Sequence, residues 1–391
     1  MNKNLWLLGL VSLFTDLSSE MIYPLMPAFL VSLGASNTLI GIIEGIAETT
    51  ATLFRSVFGH LSDKWKNRKL FIFIGYGLST ISKPFLFFAG SWTHVLGVKF
   101  ADRLGKAVRT PARDALIASS VPKAEKGHAF GFQRAFDRMG AIGGPLLALV
   151  VLYFFHNNVR YVFLFSVIPA VIAIFFIFFT KEVHNNQEEK NEKLSAQNNG
   201  LKSRAFLVFI LANIIFTLGN SSNVFLILKA QETGLTLALI PFIWILYNIV
   251  CTIASPLLGK LSDKVGRKPV IIISFIYYSL IYCLFAFSTS LWMIWLLFVA
   301  YGIYYGLSEG IYRAYIADIV EEKYLATAYG LFNTGIGLAL LPASLIMGLV
   351  WDGFGSKAAF LVSAGFSLLG FLVFLASMMV KRYEVKAKSA N

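Results

Sequence analysis

Charge is what this 391-residue chain has least of: 14% of its residues are charged, against 57% hydrophobic and 15% aromatic. That balance is far too apolar for a soluble globular protein of average composition. Cysteine is nearly absent as well. Cys251 and Cys283 each sit inside an apolar stretch without metal-like spacing, which excludes a disulfide framework or a zinc site and leaves both as small core residues. The five histidines form no cluster in sequence, and no nucleophile elbow or thiol pair occurs, so neither an enzyme, a metal nor a cofactor is expected. The phosphate-binding pattern G-x-x-x-x-G-K followed by Ser or Thr is missing too, which excludes an ATP-driven pump of the P-loop type. Acidic residues are scarce, 21 against 34 basic ones, and the net charge is +13.

That charge would suit a nucleic-acid binder if it were clustered on one face, but it collects in alternate loops. Lys64, Lys66, Arg68 and Lys69 form one group, and Lys181, Lys190, Lys193, Lys202 and Arg204 a second. Lys260, Lys264, Arg267 and Lys268 form a third, and Lys381, Arg382, Lys386 and Lys388 end the chain. The intervening loops at Ala35 to Thr38, Gly90 to Thr93 and Ser288 to Ser290 hold no Lys or Arg. Between them run twelve apolar stretches, near 5–33, 39–59, 70–90, 93–118, 128–155, 160–180, 205–228, 237–259, 269–288, 291–318, 325–350 and 357–380. Each is long enough to cross a hydrocarbon core about 30 Å thick. The expected fold is therefore an all-α membrane protein of twelve transmembrane helices. By the positive-inside rule both termini lie in the cytoplasm, in an inner membrane, with the bilayer as partner and no nucleic acid. The first stretch runs past Asp16 and Glu20 without a small-residue cleavage site, so it reads as a retained helix.

The ions inside these stretches are few and placed in register. On a helix, Asp102, Lys106, Arg109 and Arg113 fall within about 60° of one another, a ladder that lipid cannot face. Asp16 and Glu20 are one turn apart, ahead of Tyr23, Pro24 and Pro27, which predict a kink. Glu44, Glu48 and Arg55 share one side of the next helix. A single buried carboxylate is either neutralised by a nearby arginine or used to carry a proton. Four on two adjacent helices (Asp16, Glu20, Glu44 and Glu48) favour proton handling. The fifth stretch adds Gln133, Arg134, Asp137 and Arg138, with Asp137 in reach of either arginine. The second half is sparser, with Asn213, Asn220, Asn223, Tyr247, Asn248, Glu309 and Arg313. Its amides and aromatics read as substrate wall or as interhelical bonds.

The chain also contains itself twice. Gly59-His60-Leu61-Ser62-Asp63-Lys64, with Arg68 and Lys69 after it, returns 200 residues later as Gly259-Lys260-Leu261-Ser262-Asp263-Lys264 with Arg267 and Lys268. Ala118 to Gly131 and Ala317 to Gly330 repeat a common interval, each bridging a helix pair. Repeats of six helices are characteristic of secondary transporters that rock two halves about a midplane site. The polar stretch from Glu182 to Ser203 has too little apolar surface to fold alone, so the expected organisation is 1–182, a cytoplasmic linker 183–203, and 204–391.

Two copies of G-x-L-S-D-K followed by R-K resemble motif A of the major facilitator superfamily. The first has one extra residue and Asn67 where glycine is usual. Gly131-x8-Gly140-x3-Gly144-Pro145-x2-Ala148 resembles that family's antiporter motif C, with alanine in place of the last glycine, and Arg103 with Gly105 loosely resembles its arginine motif. The resemblance implies that Gly59, Asp63, Arg68, Gly259, Asp263 and Arg267 form cytoplasmic latches, and that Gly140, Gly144 and Pro145 serve helix packing and gating, as is commoner in exporters. The expectation is a monomeric proton-coupled secondary transporter that exports a small organic solute. Arg103, Lys106, Arg109, Arg113, Arg134, Asp137, Arg138, Asn220, Asn223, Glu309 and Arg313 line its cavity. Two alternatives remain: proton-coupled uptake of an organic anion such as a polycarboxylate or iron chelator, and a membrane receptor that transports nothing.

Overall fold

The computed structural model describes residues 3–65, 67–122, 125–183, 203–321 and 324–389, and among these every regular element is a helix. Helices are what an apolar chain in lipid must form, because each backbone N–H and C=O then finds its partner within the segment. The first half holds α1 (Lys3–Ile22), α2 (Met26–Ser32), α3 (Asn37–Trp65), α4 (Arg68–Ser82), α5 (Trp92–Ser119), α6 (Lys126–Phe154), α7 (Val159–Phe165) and α8 (Val167–Phe178). The second holds α9 (Arg204–Gly219), α10 (Val224–Glu232), α11 (Ile240–Val265), α12 (Arg267–Ala286), α13 (Leu291–Ile319) and α14 (Leu325–Ser389).

These helices make twelve spans. Eight helical runs are long and apolar enough to cross a membrane by themselves. The last of them, Thr327–Ala376, is two spans joined at Gly355, whose φ of 84° no helix accommodates. The remaining three are α3 and α5, which carry the intramembrane ions, and the 15-residue α4, continued by a 3-10 turn from Lys83 to Leu86. The kink expected in the first span is a 3-10 turn over Tyr23–Leu25, between α1 and α2, with Pro24 inside it. Large apolar side chains such as Phe88, Tyr153, Phe175 and Trp292 stay exposed, as a lipid-facing surface requires.

Two boundaries differ from expectation. Helix α3 continues to Trp65 and α11 to Val265, so Gly59, Asp63, Gly259 and Asp263 lie on the last helical turns and not in loops. Polar side chains do not end a helix once it reaches water. The seventh stretch, expected to be continuous, breaks between α9 and α10 at Asn220 to Asn223, where Asn220 takes φ −97° and ψ 71°. Asn and Ser bond to their own backbone and compete with the helix there. Residues 184–202 of the expected linker, including Lys190, Lys193 and Lys202, lie outside the described residues, as does Lys66.

Close packing divides the chain into two compact units. One comprises residues 1–35, 46–195 and 234–248, and the other residues 36–45, 196–233 and 249–391. The core of the first joins Leu8 and Val11 of α1, Ile72 and Tyr76 of α4, Ala112 and Leu116 of α5, Ala129 of α6 and Ile177 of α8. Helices α4 and α5 touch backbone to backbone. A Cβ at Gly75 would stand 2.6 Å from Gly105 O, and one at Gly105 would stand 2.5 Å from Gly75 O. The core of the second unit is aromatic, with Phe216, Phe275, Tyr278, Tyr282 and Tyr304 in mutual ring contact.

Candidate functional site

The sequence repeat is also a repeat of bonds. Arg68, at the start of α4, donates from Nη1 to Ala115 O at 3.2 Å and to Ser119 Oγ at 2.9 Å, across 47 and 51 residues. Arg267, at the start of α12, donates from Nη1 to Ala314 O at 2.6 Å and to the Asp318 carboxylate, again across 47 and 51 residues. Asp63 lies 4.0 Å from Arg68, and Asp263 lies 3.4 Å from Arg267. The departure from the motif at Asn67 has a local cause, because its side chain caps α4 by accepting from Leu70 N at 3.1 Å. The second copy begins α12 on Gly266 with φ 94°, a conformation that suits glycine. The two copies reach one result by different start signals.

The motif C residues act on α1. A Cβ at Gly140 would stand 2.6 Å from Asp16 Cβ, and one at Gly144 would stand 2.7 Å from Leu17 O and 2.8 Å from Glu20 Cβ. Glycine on α6 therefore lets that helix lie on the backbone of α1 at the two carboxylates. Pro145 is buried within α6 beside them. Asp137, expected to pair with Arg134 or Arg138, accepts at Oδ2 from Gln133 Nε2 of the same helix at 2.6 Å, and Gln133 also donates to Ser12 Oγ at 3.3 Å. Arg138 is half-buried and Arg134 exposed.

Asp16 and Glu20 open onto a cavity of about 100 Å³ within the first unit. Its wall is built by α1, the Tyr23–Leu25 turn, the Lys83–Leu86 turn and α5. Cations outnumber acids on it: Lys83, Lys99, Arg103, Lys106 and Arg109 face Asp16, Glu20 and Asp102. Several of these groups have defined partners. Arg103 Nη2 pairs with Glu48 Oε1 of α3 at 3.0 Å. Arg109, 7% exposed, donates to Ser79 Oγ at 2.8 Å and stacks over the Tyr76 ring at 4.4 Å. Glu20 Oε2 accepts from Trp244 Nε1 at 2.8 Å, and Trp244 packs against Tyr23. Arg113, one turn beyond Arg109 on α5 and not part of the cavity wall, bonds Asp114 Oδ1 at 3.0 Å and Ser12 Oγ at 3.2 Å.

The site thus gathers Asp16, Glu20, Arg103, Lys106 and Arg109, with Glu48 behind Arg103. Glu44 is not among them. It is fully buried in the second unit, where Ser222 Oγ donates to it at 3.5 Å. The asparagines of that unit flank the α9/α10 break: Tyr278 OH lies 3.4 Å from Asn220 Oδ1, and Tyr301 OH donates to Asn223 Oδ1 at 2.7 Å. Asn213 and Asn248 bond carbonyls four residues back on their own helices. Arg313 is exposed, and the side chain of Glu309 lies outside those described. Sequence reasoning passed over Lys83, Lys99 and Trp244. A lone lysine in an apolar span was the available signal for Lys83. Lys99 falls on the face of Arg103 and Lys106 at helical spacing.

The family model of the Major Facilitator Superfamily matches residues 8–227 and 205–391. An uncharacterised MFS-type transporter of Methanocaldococcus jannaschii is 38% identical over 359 residues, covering 90% of this chain and 89% of the relative. A multi-drug resistance efflux pump of Streptococcus pneumoniae is 25% identical over 289 residues, 71% of each chain. Among solved structures, a bacterial homologue of the human lysosomal transporter Spinster superposes with a TM-score of 0.79 at 15% identity, over 96% of both chains. The family model spans nearly the whole chain, and the fold is the family's twelve helices in two six-helix halves. This chain is a multi-pass membrane transporter, not an enzyme, and it belongs to the Major Facilitator Superfamily.

Proposed function

We propose that the protein is a proton-coupled secondary transporter of the inner membrane that exports a small organic solute by alternating access in exchange for protons. One observation carries this reading. The glycines of the antiporter-like motif on α6 seat that helix on α1 at Asp16 and Glu20, two of the three carboxylates that line the cavity. A change in the protonation of either acid then bears directly on how the two helices pack. The similarity to a multi-drug efflux pump fits the same direction. In this scheme residues 1–182 and 204–391 are the two moving halves of a monomer, 183–203 is the cytoplasmic linker, and both termini are cytoplasmic. Asp16 and Glu20 are the first proton carriers, ahead of Glu48, which is ion-paired, and Glu44, which stands in the other unit.

The excess of cations on the cavity wall favours a second reading, proton-coupled uptake of an organic anion. Proteoliposomes holding only this protein separate the two. With an imposed pH gradient, an exchanger moves solute against the proton flux and a symporter moves it with the flux. Proton-dependent movement in neither direction sinks both and leaves a receptor role. Asp16→Asn is expected to abolish proton-driven movement in either case.

A further inference from the structure

We infer that the cavity of the first unit is an anion seat, in which Lys83 and Lys106 hold a carboxylate or phosphate group of the transported solute. The inference rests on the reading of this cavity as the transport site, but not on the direction of transport. Lys83 is 3% exposed, on the 3-10 turn that Pro84 imposes after α4. Its Nζ donates to Ser18 Oγ at 2.6 Å and Ser19 Oγ at 3.2 Å, and Ser18 Oγ in turn donates to Ser166 O at 2.6 Å. An ammonium has three donors, and two are taken by neutral hydroxyls. The third is left for the cavity that Lys83 lines.

Lys106 stands on the same wall, half-buried. Among the described residues no carboxylate forms an ion pair with either lysine. Arg103 is matched to Glu48, and Arg109 to Ser79 and Tyr76, so these arginines already have partners. Taking a cation out of water is costly unless a counter-charge meets it, and a transported anion supplies one for the lifetime of the complex. Asp16, Glu20 and Asp102 share the wall, Glu48 also lies near Lys106, and Asp102 Oδ1 is buried without a hydrogen bond. If those acids cancelled the lysines, the cavity would be indifferent to charge, which is the competing outcome. A charge-assisted bond to two ammoniums discriminates an anion from its neutral amide strongly.

The test uses the purified full-length protein in nanodiscs, with melting followed at constant ionic strength. Succinate, benzoate and inorganic phosphate are compared with succinamide and benzamide. The expected result is that at least one anion raises the melting temperature by mass action while the amides do not. A response to phosphate alone assigns the seat to phosphorylated solutes, and a response to carboxylates assigns it to organic acids. Lys83→Gln and Lys106→Gln are each expected to weaken that anion by about tenfold or more. Exposed Lys181→Gln carries the same charge change and is expected to keep the shift. The Lys106 side chain makes no hydrogen bond among the described residues, so its variant is the one least able to fail by misfolding. Equal shifts from anions and amides, no shift from any anion, or an unchanged shift in Lys106→Gln overturns the inference. Proton-driven transport in proteoliposomes without an anion shift would overturn the seat and spare the transport reading. An anion shift without transport would do the reverse.

Discussion

At the scale of single residues, the cavity separates charges that are matched inside the protein from charges that are not. The Arg103–Glu48 pair is the clearest matched case, at 3.0 Å with the arginine side chain 13% exposed and the glutamate 34%. Removing one partner of a buried pair strands the other, at a cost of about 3–5 kcal/mol, with the lower end expected here because Glu48 keeps some access to water. Arg103→Gln is therefore expected to lower the unfolding free energy by about 3 kcal/mol, and adding Glu48→Gln to restore most of it. Denaturant melts of the two single variants and the double variant measure the coupling. Additive losses would mean that the pair contributes nothing. Arg109 behaves differently, since its partners are a hydroxyl and a ring. Arg109→Gln is expected to cost about 1–3 kcal/mol through the lost hydrogen bond and the lost stacking, whether or not a ligand is present. The sequence ladder placed Asp102, Lys106, Arg109 and Arg113 on one face correctly. It did not reveal which rungs were already bonded, because Ser79, Tyr76 and Ser12 come from other helices.

At the scale of helices, small residues decide where backbones touch. Gly140 and Gly144 hold α6 on α1, whereas Gly77, also within an apolar helix, has no atom within 4 Å of a notional Cβ. The contrast gives a paired prediction. Gly144→Val forces α6 off Leu17 and Glu20, with an overpacking cost of about 1–3 kcal/mol. It is expected to impair transport even where the protein still inserts. Gly77→Ala is expected to be neutral or to stabilise by about 0.5–1 kcal/mol through helix propensity. Thermal melts beside transport rates check both, and equal effects would remove the packing argument. A second contact at this scale had no sequence signal. Asp352 of α14 accepts from Asn37 N, Thr38 N and both of their side chains, capping α3 at 2.6–3.1 Å within the second unit. Asp352→Ala is expected to cost about 1 kcal/mol as a lost cap. Helix number and spacing were legible because apolar length and charge placement report them directly. The cap was not, since it joins residues more than 300 positions apart.

At the scale of the whole molecule, the internal repeat was legible as G-x-L-S-D-K and returns in the structure as bonds with equal sequence intervals. The repeat is not symmetric in charge. Where the second copy places Asp318 against Arg267, the first places the neutral Ser119 against Arg68. Arg267 therefore has two carboxylates near it, Asp263 and Asp318, while Asp63 stands at 4.0 Å from Arg68 and is 67% exposed. Glu182 also joins the first copy, accepting from the backbone N–H groups of Arg68 and Lys69. If these clusters latch the cytoplasmic side during the transport cycle, the copy with serine at the position of Asp318 is the more sensitive to losing its motif aspartate. Asp63→Asn is expected to slow transport markedly with membrane insertion intact. Asp263→Asn is expected to slow it less, because Asp318 still holds Arg267. Exposed pairs of this kind contribute only about 0–1 kcal/mol to stability, so neither change should lower the melting temperature much. Initial transport rates per inserted molecule, measured beside melts, test the argument. Wild-type rates in both variants would remove the latch, and a larger loss in Asp263→Asn would place the controlling contact in the second copy instead of the first.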